Sequence, residues 1–379
     1  MKLLHISDLH IGKRLYEYSL IEDQEYILNS IVSIAKNEAP DLLVIAGDVY
    51  DKPIPTSEAV SLFDNFLYSL SKAGIKTAVI SGNHDSPERL SFGARLMTHS
   101  GIVMCSAWQG ATEKLTVHDD FGEVNVYLLP FIKPANLRRF FPDENIESYT
   151  DALRLVISHL DMDSSKRNIL VTHQLVTGAE RSDSEEISVG GSDNVDASVF
   201  EGFDYVALGH IHSPQSIGSD KIRYSGTPLH YSFSELKHEK SVTVAEIGEK
   251  DSLSVRTVPL TPLRRLRELK GSYDELSLRA NYIELATDDY YRIILTDEND
   301  VPDAAAKLRI IYKNLMKLDY DNKRTNAEHF SVVADHEQKL SPIELFCDLF
   351  EKQNGRPPDD EQYSYISKLI ERVFEGGDL

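Results

Sequence analysis

The sequence predicts an α/β protein whose strands each deliver a cluster of metal-ligand residues to one edge of a sheet. Three observations predict it. Five short apolar runs have the β-rich, uninterrupted character of strands covered on both faces: Leu3-Leu4, Leu42-Leu43-Val44-Ile45, Ala78-Val79-Ile80, Ile169-Leu170-Val171 and Tyr205-Val206-Ala207-Leu208. Each runs into Asp, Asn or His residues: Asp8-Leu9-His10, Gly47-Asp48, Gly82-Asn83-His84-Asp85, Thr172-His173 and Gly209-His210-Ile211-His212. Between them lie segments of helical period, such as Ser57 to Ser71 with Val60, Phe63, Phe66, Leu67 and Leu70 on one stripe.

Open α/β sheets place ligand sites beyond the carboxyl ends of their strands, where rigid strands hold converging loops. In Asp8-x-His10 and His210-x-His212 the two ligands are two residues apart, so in extended backbone both point to one side. Gly47, Gly82 and Gly209 sit just before a ligand, where a residue without Cβ permits a sharp turn or a close approach. The candidate ligands are Asp8, His10, Asp48, Asn83, His173, His210 and His212. This oxygen and nitrogen set, free of thiolate, suits Mn, Fe or Zn better than Ca or a Cys-rich structural zinc site. Seven ligands are too many for one catalytic ion with an open position. They fit two ions about 3.5–4 Å apart, positioned for in-line attack on phosphorus, with Asp48 as the bridging carboxylate.

His5 lies inside the first strand and reads as a packed histidine. His99, His118, His159, His230, His238, His329 and His336 belong to no cluster and read as structural or surface residues.

The series Asp-x-His, Gly-Asp-x-x-Asp, Gly-Asn-His-Asp, Thr-His and Gly-His-x-His resembles the calcineurin-like metallophosphoesterase family. Asp48-Val49-Tyr50-Asp51, Gly82-Asn83-His84-Asp85-Ser86, Val189-Gly190-Gly191-Ser192-Asp193, Phe203 to Gln215, Tyr224-Ser225-Gly226-Thr227-Pro228 and Ser232-Phe233-Ser234-Glu235 are most similar to its DNA-nuclease branch. The resemblance covers the first two thirds of the chain strongly and the rest by layout. It implies a four-layer β-sandwich flanked by helices, a small α+β capping domain and a C-terminal helical tail. One metal would be held by Asp8, His10, Asp48 and His212, the other by Asp48, Asn83, His173 and His210. Two Mn²⁺ are implied, with Mg²⁺, Fe or Zn as alternatives. His84 would face the phosphate, stabilising developing charge or helping the leaving oxygen depart. Asp85 would orient His84 through a carboxylate–imidazole hydrogen bond; the plainer reading of Asp85 is a turn residue capping the next helix. Archaeal relatives carry a histidine where this chain has Asp51, so a two-histidine phosphate contact is not expected.

The implied activity is DNA cleavage, exonuclease on double-stranded ends and endonuclease on single strands and hairpins. Implied partners are DNA and an SbcC-type, SMC-like coiled-coil ATPase, with the chain as a homodimer within a heterotetramer. A small-substrate phosphodiesterase and a catalytically silent adapter of the ATPase are the competing readings. Protein phosphatases of the superfamily typically show Gly-Asn-His-Glu and Arg-Gly, whereas this chain has Gly82-Asn83-His84-Asp85 and Lys52-Pro53.

At 379 residues with 41% hydrophobic content the chain has room for a full α/β domain and smaller units. No apolar run approaches a membrane span, and His5 and Asp8 interrupt any signal-peptide core, so a cytoplasmic protein is expected, and the resemblance implies that it is nucleoid-associated. Cys105 and Cys347 are far apart and fit no disulfide framework. The formal charge of −21 opposes phosphate-backbone binding. Bound divalent ions invert the local potential of an acidic site, and a partner can supply affinity, so weak DNA binding by the chain alone is expected.

The expected divisions are a nuclease domain at 1–262, a capping domain at 263–325, a linker at 326–341 and a helix-loop-helix at 342–379. Lys114 to Pro130 reads as a hairpin around Phe121-Gly122, and Tyr149 to Leu160 as an amphipathic helix. Gln174 to Asp196 reads as a polar loop supporting substrate, with Arg181 as a solvated arginine or a DNA contact. Arg264, Arg265, Arg267 and Lys270 form the most basic stretch, either a solvated linker face or a contact for DNA phosphates. In the cap, Tyr290 to Leu295 reads as a strand, Pro302 to Leu308 as a helix, and Ile310, Ile311, Tyr312 and Leu315 as a strand. Leu62, Tyr68, Phe92, Leu96 and Met97 are the candidates for a dimer face, and the apolar positions of the two tail helices want a partner surface.

Overall fold

Alternating side chains of the strand Leu42–Ala46 enter two different cores, and this alternation sets the layering. Leu42, Val44 and Ala46 face one core, while Leu43 and Ile45 face another. The computed structural model describes residues 1–185, 193–322, 341–354 and 356–374. Its principal strands are β1 (Lys2–Ile6), β2 (Leu42–Ala46), β3 (Thr77–Ile80), β4 (Ile102–Cys105), β5 (Glu113–Asp119), β6 (Gly122–Leu129), β7 (Arg167–His173), β8 (Tyr205–Gly209), β9 (Gln215–Ile217), β10 (Ser219–Tyr224), β11 (Ser241–Ile247), β12 (Leu253–Pro259), β13 (Leu266–Gly271), β14 (Tyr290–Leu295) and β15 (Asn314–Tyr320). The principal helices are α1 (Ile21–Glu38), α2 (Ser57–Lys72), α3 (Tyr149–Ser158), α4 (Ala304–Ile311), α5 (Pro342–Asn354) and α6 (Asp360–Phe374).

Two six-stranded sheets result, with orders β12-β11-β1-β2-β3-β4 and β9-β10-β8-β7-β6-β5. β1 through β4 are parallel neighbours in the first sheet, as are β6, β7, β8 and β10 in the second. The two sheets share a core of Leu3, Val44, Ala46, Ile80, Val126, Leu128, Ile169, Val171, Tyr205 and Ala207. The outer face of the first sheet is covered by α1 and α2, and that of the second by α3. The chain is thus a four-layer α/β/β/α sandwich, as expected. The hairpin lies where the sequence put it, with β5 and β6 antiparallel and Asp119 opposite Gly122. α2 starts at Thr56, whose hydroxyl accepts the N–H of Ala59, and α3 starts in a Ser148/Asp151 capping box.

The third sheet, β13-β14-β15, is parallel throughout, with helices supplying the crossovers that parallel pairing requires. Ile310 and Ile311 belong to α4 rather than to a strand. Ala304 and Leu308, four apart, bury one face of that helix, and the alanine run Ala304–Ala306 favours helix through to an Ile310 that is 82% exposed. The strand starts later, at Asn314. Most of the basic stretch is paired, while Arg265 is exposed. Arg264 pairs with Glu22 and the buried Asp23 of α1, Arg267 with Asp289, and Lys270 with Asp321, so these charges fasten β13 in place. Tyr290 adds a 2.7 Å hydrogen bond to Asp23.

Leu62 is buried in the α2 core and so turns away from an outward face, and Met97 is half-buried against that core. Tyr68, Phe92 and Leu96 are exposed at 64%, 85% and 78%. The 326–341 linker, apart from Ser341, lies outside the described residues, as do His329 and His336. α5 and α6 form as a pair, with Leu345, Leu349, Tyr363 and Tyr365 exposed. Among the described residues no helix is long and apolar enough to cross a membrane.

Candidate metal centre

β1, β2 and β3 of one sheet, and β7 and β8 of the other, end at one edge of the sandwich. Backbone bonds lock the loops that follow: Asp8 N–H donates to Gly47 O at 3.0 Å and His10 N–H to Asp48 O at 3.0 Å. The ligand spacing does not act through extended backbone. Asp8, His10, Asp48 and His210 have φ of 54°, 43°, 49° and 104°, so left-handed kinks turn the side chains inward. Such conformations cost of order 1–3 kcal/mol each and persist where the surroundings over-determine them.

Close approach explains the glycines. A Cβ on Gly82 would enter Asp48, one on Gly47 would enter the His173 ring, and one on Gly209 would collide with the carbonyl of Ala46. Gly47 also has φ +87°. Gly47 and Gly209 let the loops of the two sheets close on one another, and Gly82 lets two loops of the first sheet do so.

All seven candidate ligands meet there. His10 Nε2 and His212 Nε2 are 3.2 Å apart, and Asp8, His10 and His212 offer ligand atoms to one small volume. On the other side Asn83 Oδ1 is 3.0 Å from His173 Nε2 and 2.9 Å from His210 Nδ1. Asp48 lies between the sets, its Oδ2 3.8 Å from His10 and 3.3 Å from His173. Two imidazole nitrogens facing at 3.2 Å cannot both carry protons, and Asp8 Oδ2 is buried without a hydrogen-bond partner. A bare ring nitrogen and an orphaned carboxylate oxygen are what a cation would satisfy, so the residues present fit divalent metal.

The electrostatics agree for His10 and His210. Burial drives His10 well below its ordinary value, and burial with His173 drives His210 to about 3, so both rings are neutral, each with one nitrogen free of a proton. Burial works to raise Asp48, but His173, His84 and His10 around it hold it well below the usual carboxylate range. His173, despite its burial, is pushed up to about 9 by Asp48. Burial lifts Asp8 to about 6.

His84 is half-exposed at the rim. Its Nδ1 faces the Asp51 carbonyl at 3.1 Å and its Nε2 is 4.0 Å from Asp48 Oδ2, aimed into the site. Asp85 does not orient it. The Asp85 carboxylate instead accepts the N–H groups of Gly82, Val49 and Tyr50 at 2.9, 3.1 and 2.9 Å, tying the third loop to the second. Ser86, rather than Asp85, caps the next helical turn. Asp51 is paired with Lys13 at 2.7 Å. Arg181 lies against Asp193 and Asn194. His5 is a packed histidine as read, sealed between Tyr205 Oη and Leu208 O, with burial taking it to about 3.

Residues 1–214 match the calcineurin-like phosphoesterase family, and residues 261–354 match the type 5 capsule protein repressor C-terminal domain. The chain is 34% identical over 349 residues to the SbcD subunit of nuclease SbcCD from Staphylococcus epidermidis, covering 91% of this chain and 89% of that protein. The SbcD subunit of nuclease SbcCD from Staphylococcus saprophyticus is 33% identical over the whole of both chains. The chain belongs to the SbcD family of calcineurin-like phosphoesterases. Among solved structures, a dimetal phosphatase from Danio rerio covers 68% of this chain and 95% of its own, with 13% identity and TM-score 0.41. The protein TT1561 of Thermus thermophilus covers 68% and 98%, with 14% identity and TM-score 0.35.

Sequence reasoning missed the residues behind the ligands in this SbcD-family centre: Gln24, Ser184, Tyr231, Glu235 and Lys240. Gln24 Nε2 donates to the Tyr231 hydroxyl and to the loop carbonyls of Leu9 and His10, and Tyr231 Oη donates to the carbonyl of Leu9. Glu235 was visible within Ser232-Phe233-Ser234-Glu235, but nothing in its spacing pointed to the metal edge.

Proposed function

We propose that this chain is a metal-dependent DNA nuclease, exonuclease on double-stranded ends and endonuclease on single strands and hairpins. It would serve as the catalytic component of an ATP-driven complex with an SbcC-type coiled-coil ATPase. One observation carries the reading: all seven O/N ligands, from both sheets, converge around Asp48. An adapter without catalysis has no use for a complete ligand set. The relatives' name, as the SbcD subunit of nuclease SbcCD, supports DNA as substrate and the ATPase as partner.

The proposed assignment is Asp8, His10, Asp48 and His212 for one ion, and Asp48, Asn83, His173 and His210 for the other, with Mn²⁺ as the working metal. Such ions supply Lewis-acid polarisation of the phosphodiester and an activated water. The chain's own groups orient the ligands through kinked loops, keep His10 and His210 neutral, and present His84 Nε2 where charge develops on the phosphate and the leaving oxygen takes a proton. Asp85 acts by fixing the loop that carries Asn83 and His84. The units proposed are a nuclease domain to residue 262, a cap over 263–325 and a partner-binding helical tail from 342. Truncation after Lys339 is expected to abolish co-purification with the ATPase, and full retention would overturn the tail's role.

The test is Mn²⁺-dependent cleavage of a hairpin-ended duplex by wild type and His84→Gln, with and without the ATPase. The expected result is a loss of about 10²–10⁴-fold in the variant with metal binding retained. Absence of DNA cleavage in either setting, alongside rapid turnover of a small aryl phosphodiester, would move the chain to small substrates.

A further inference from the structure

Behind His212 lies a buried charged pair that the ligand set does not use. Glu235 is wholly buried and Lys240 is 5% exposed. Lys240 Nζ is bonded to Glu235 Oε2, donates to the carbonyl of His212 at 2.9 Å and donates to Thr227 Oγ1. Glu235 Oε1 lies 3.2 Å from His212 Nδ1, and the Ser184 hydroxyl donates to that same oxygen. Ser184 Oγ is itself 2.8 Å from His212 Nδ1. The Tyr231 N–H reaches Glu235 Oε2 at 3.3 Å.

Isolated buried charges are costly, and a well-packed apolar pair of similar volume is often as stable, so stability alone does not account for this pair. Geometry gives it a task. The Glu235 carboxylate is acceptor only, so an unprotonated Nδ1 would set its lone pair against a carboxylate oxygen 3.2 Å away. Nδ1 must therefore carry the ring proton, which leaves Nε2 bare, facing His10 Nε2 at 3.2 Å. The other ligands have nothing comparable among the described residues. His173 Nδ1 faces the carbonyl of Ala46 at 2.8 Å, and His10 Nδ1 is buried without a hydrogen-bond partner.

We propose that Glu235, held by Lys240, is a positioning residue that fixes the tautomer and orientation of His212 as a ligand of one of the two ions. The pair thus makes the two sites unequal: one is backed by a carboxylate, the other by a backbone carbonyl. A carboxylate behind an imidazole raises its basicity as a ligand, and removing such a partner typically weakens metal binding 10–100-fold.

The inference rests on the metal-centre reading, and the experiment separates their failures. Full-length, metal-stripped protein is titrated with Mn²⁺, free ion being followed by electron paramagnetic resonance, for wild type, Glu235→Gln and Glu235→Gln with Lys240→Met. The double variant removes both charges, so that no lone buried lysine confounds folding. Expected are two sites in wild type, with one weakened 10–100-fold and the other unchanged in the variants, while the metal-free melting temperature of the double variant stays near wild type. Adding His212→Ala to either variant is expected to weaken that site no further than His212→Ala alone. Wild-type affinity at both sites in the folded variants would overturn the positioning role, even if stability fell. Failure of wild type to bind two ions would instead overturn the centre itself. A measurement needing no variant of the pair settles the case in which neither folds. Long-range ¹H–¹⁵N spectra of histidine-labelled wild type, with His212 assigned by His212→Asn, are expected to show the proton on Nδ1; a proton on Nε2 overturns the proposal.

Discussion

Gly209 shows at the scale of one residue how the two sheets share a site. Its Cα lies against the carbonyl of Ala46 from the opposite sheet, with no room for a methyl group. Gly209→Ala is predicted to destabilise the fold by about 1–3 kcal/mol, as overpacking does, and to weaken metal binding together with stability. Urea unfolding with and without Mn²⁺ checks this, and an unchanged midpoint would mean that the loops do not close so tightly. The candidate ligands were legible because five apolar runs in succession end in Asp, Asn or His. The kinks at Asp8, His10, Asp48 and His210 were not, because φ is set by the neighbouring loops rather than by local sequence. Asp85 was misread for a related reason. Whether a carboxylate serves an imidazole or three backbone N–H groups depends on how the Val49-Tyr50 loop passes, and that is a long-range fact.

Elements are held to one another by a small number of charged joints. Asp119, at the end of β5, bonds the N-terminal amine of Met1 and the guanidinium of Arg167 on β7, joining the hairpin to both sheets. Arg167, with the amine and the Phe121 N–H adding to it, holds the Asp119 carboxyl well below its ordinary range in the folded protein. A depressed folded value means that the stabilisation is full above the unfolded value, about 3.9, and is lost as pH falls toward the folded one. Asp119→Asn is therefore predicted to cost about 1.5–3 kcal/mol at pH 7, with the difference from wild type shrinking below about pH 4. Urea unfolding at the two pH values checks the sign, and a difference that grows in acid would contradict it. The third sheet shows where element reading succeeded and where it failed. β14 was evident from its β-rich run, but Ile310 and Ile311 were drawn to a strand by the same β-branched signal. The preceding alanines and the need for a helical crossover between parallel β14 and β15 decided otherwise.

At the scale of the whole molecule, a charge of −21 and an inward-facing candidate metal centre mean that, for the proposed nuclease, DNA affinity would rest on bound ions and on a partner. The four-layer order followed from runs buried on both faces, whereas the all-parallel cap sheet and the ion pairs that absorb Arg264, Arg267 and Lys270 did not. The candidate dimer face narrows to Tyr68, Phe92 and Leu96, which leave large apolar surfaces in water while Leu62 turns inward. Replacing Tyr68 and Phe92 by Asp is predicted to convert a dimer to a monomer in sedimentation; an unchanged mass would place the interface elsewhere. The most direct test of the account is diffraction at the manganese edge from Mn²⁺-soaked crystals. The account predicts two anomalous peaks about 3.5–4 Å apart with Asp48 between them, one against Asp8, His10 and His212 and the other against Asn83, His173 and His210. A single peak, or two peaks that leave Asp48 aside, would contradict it.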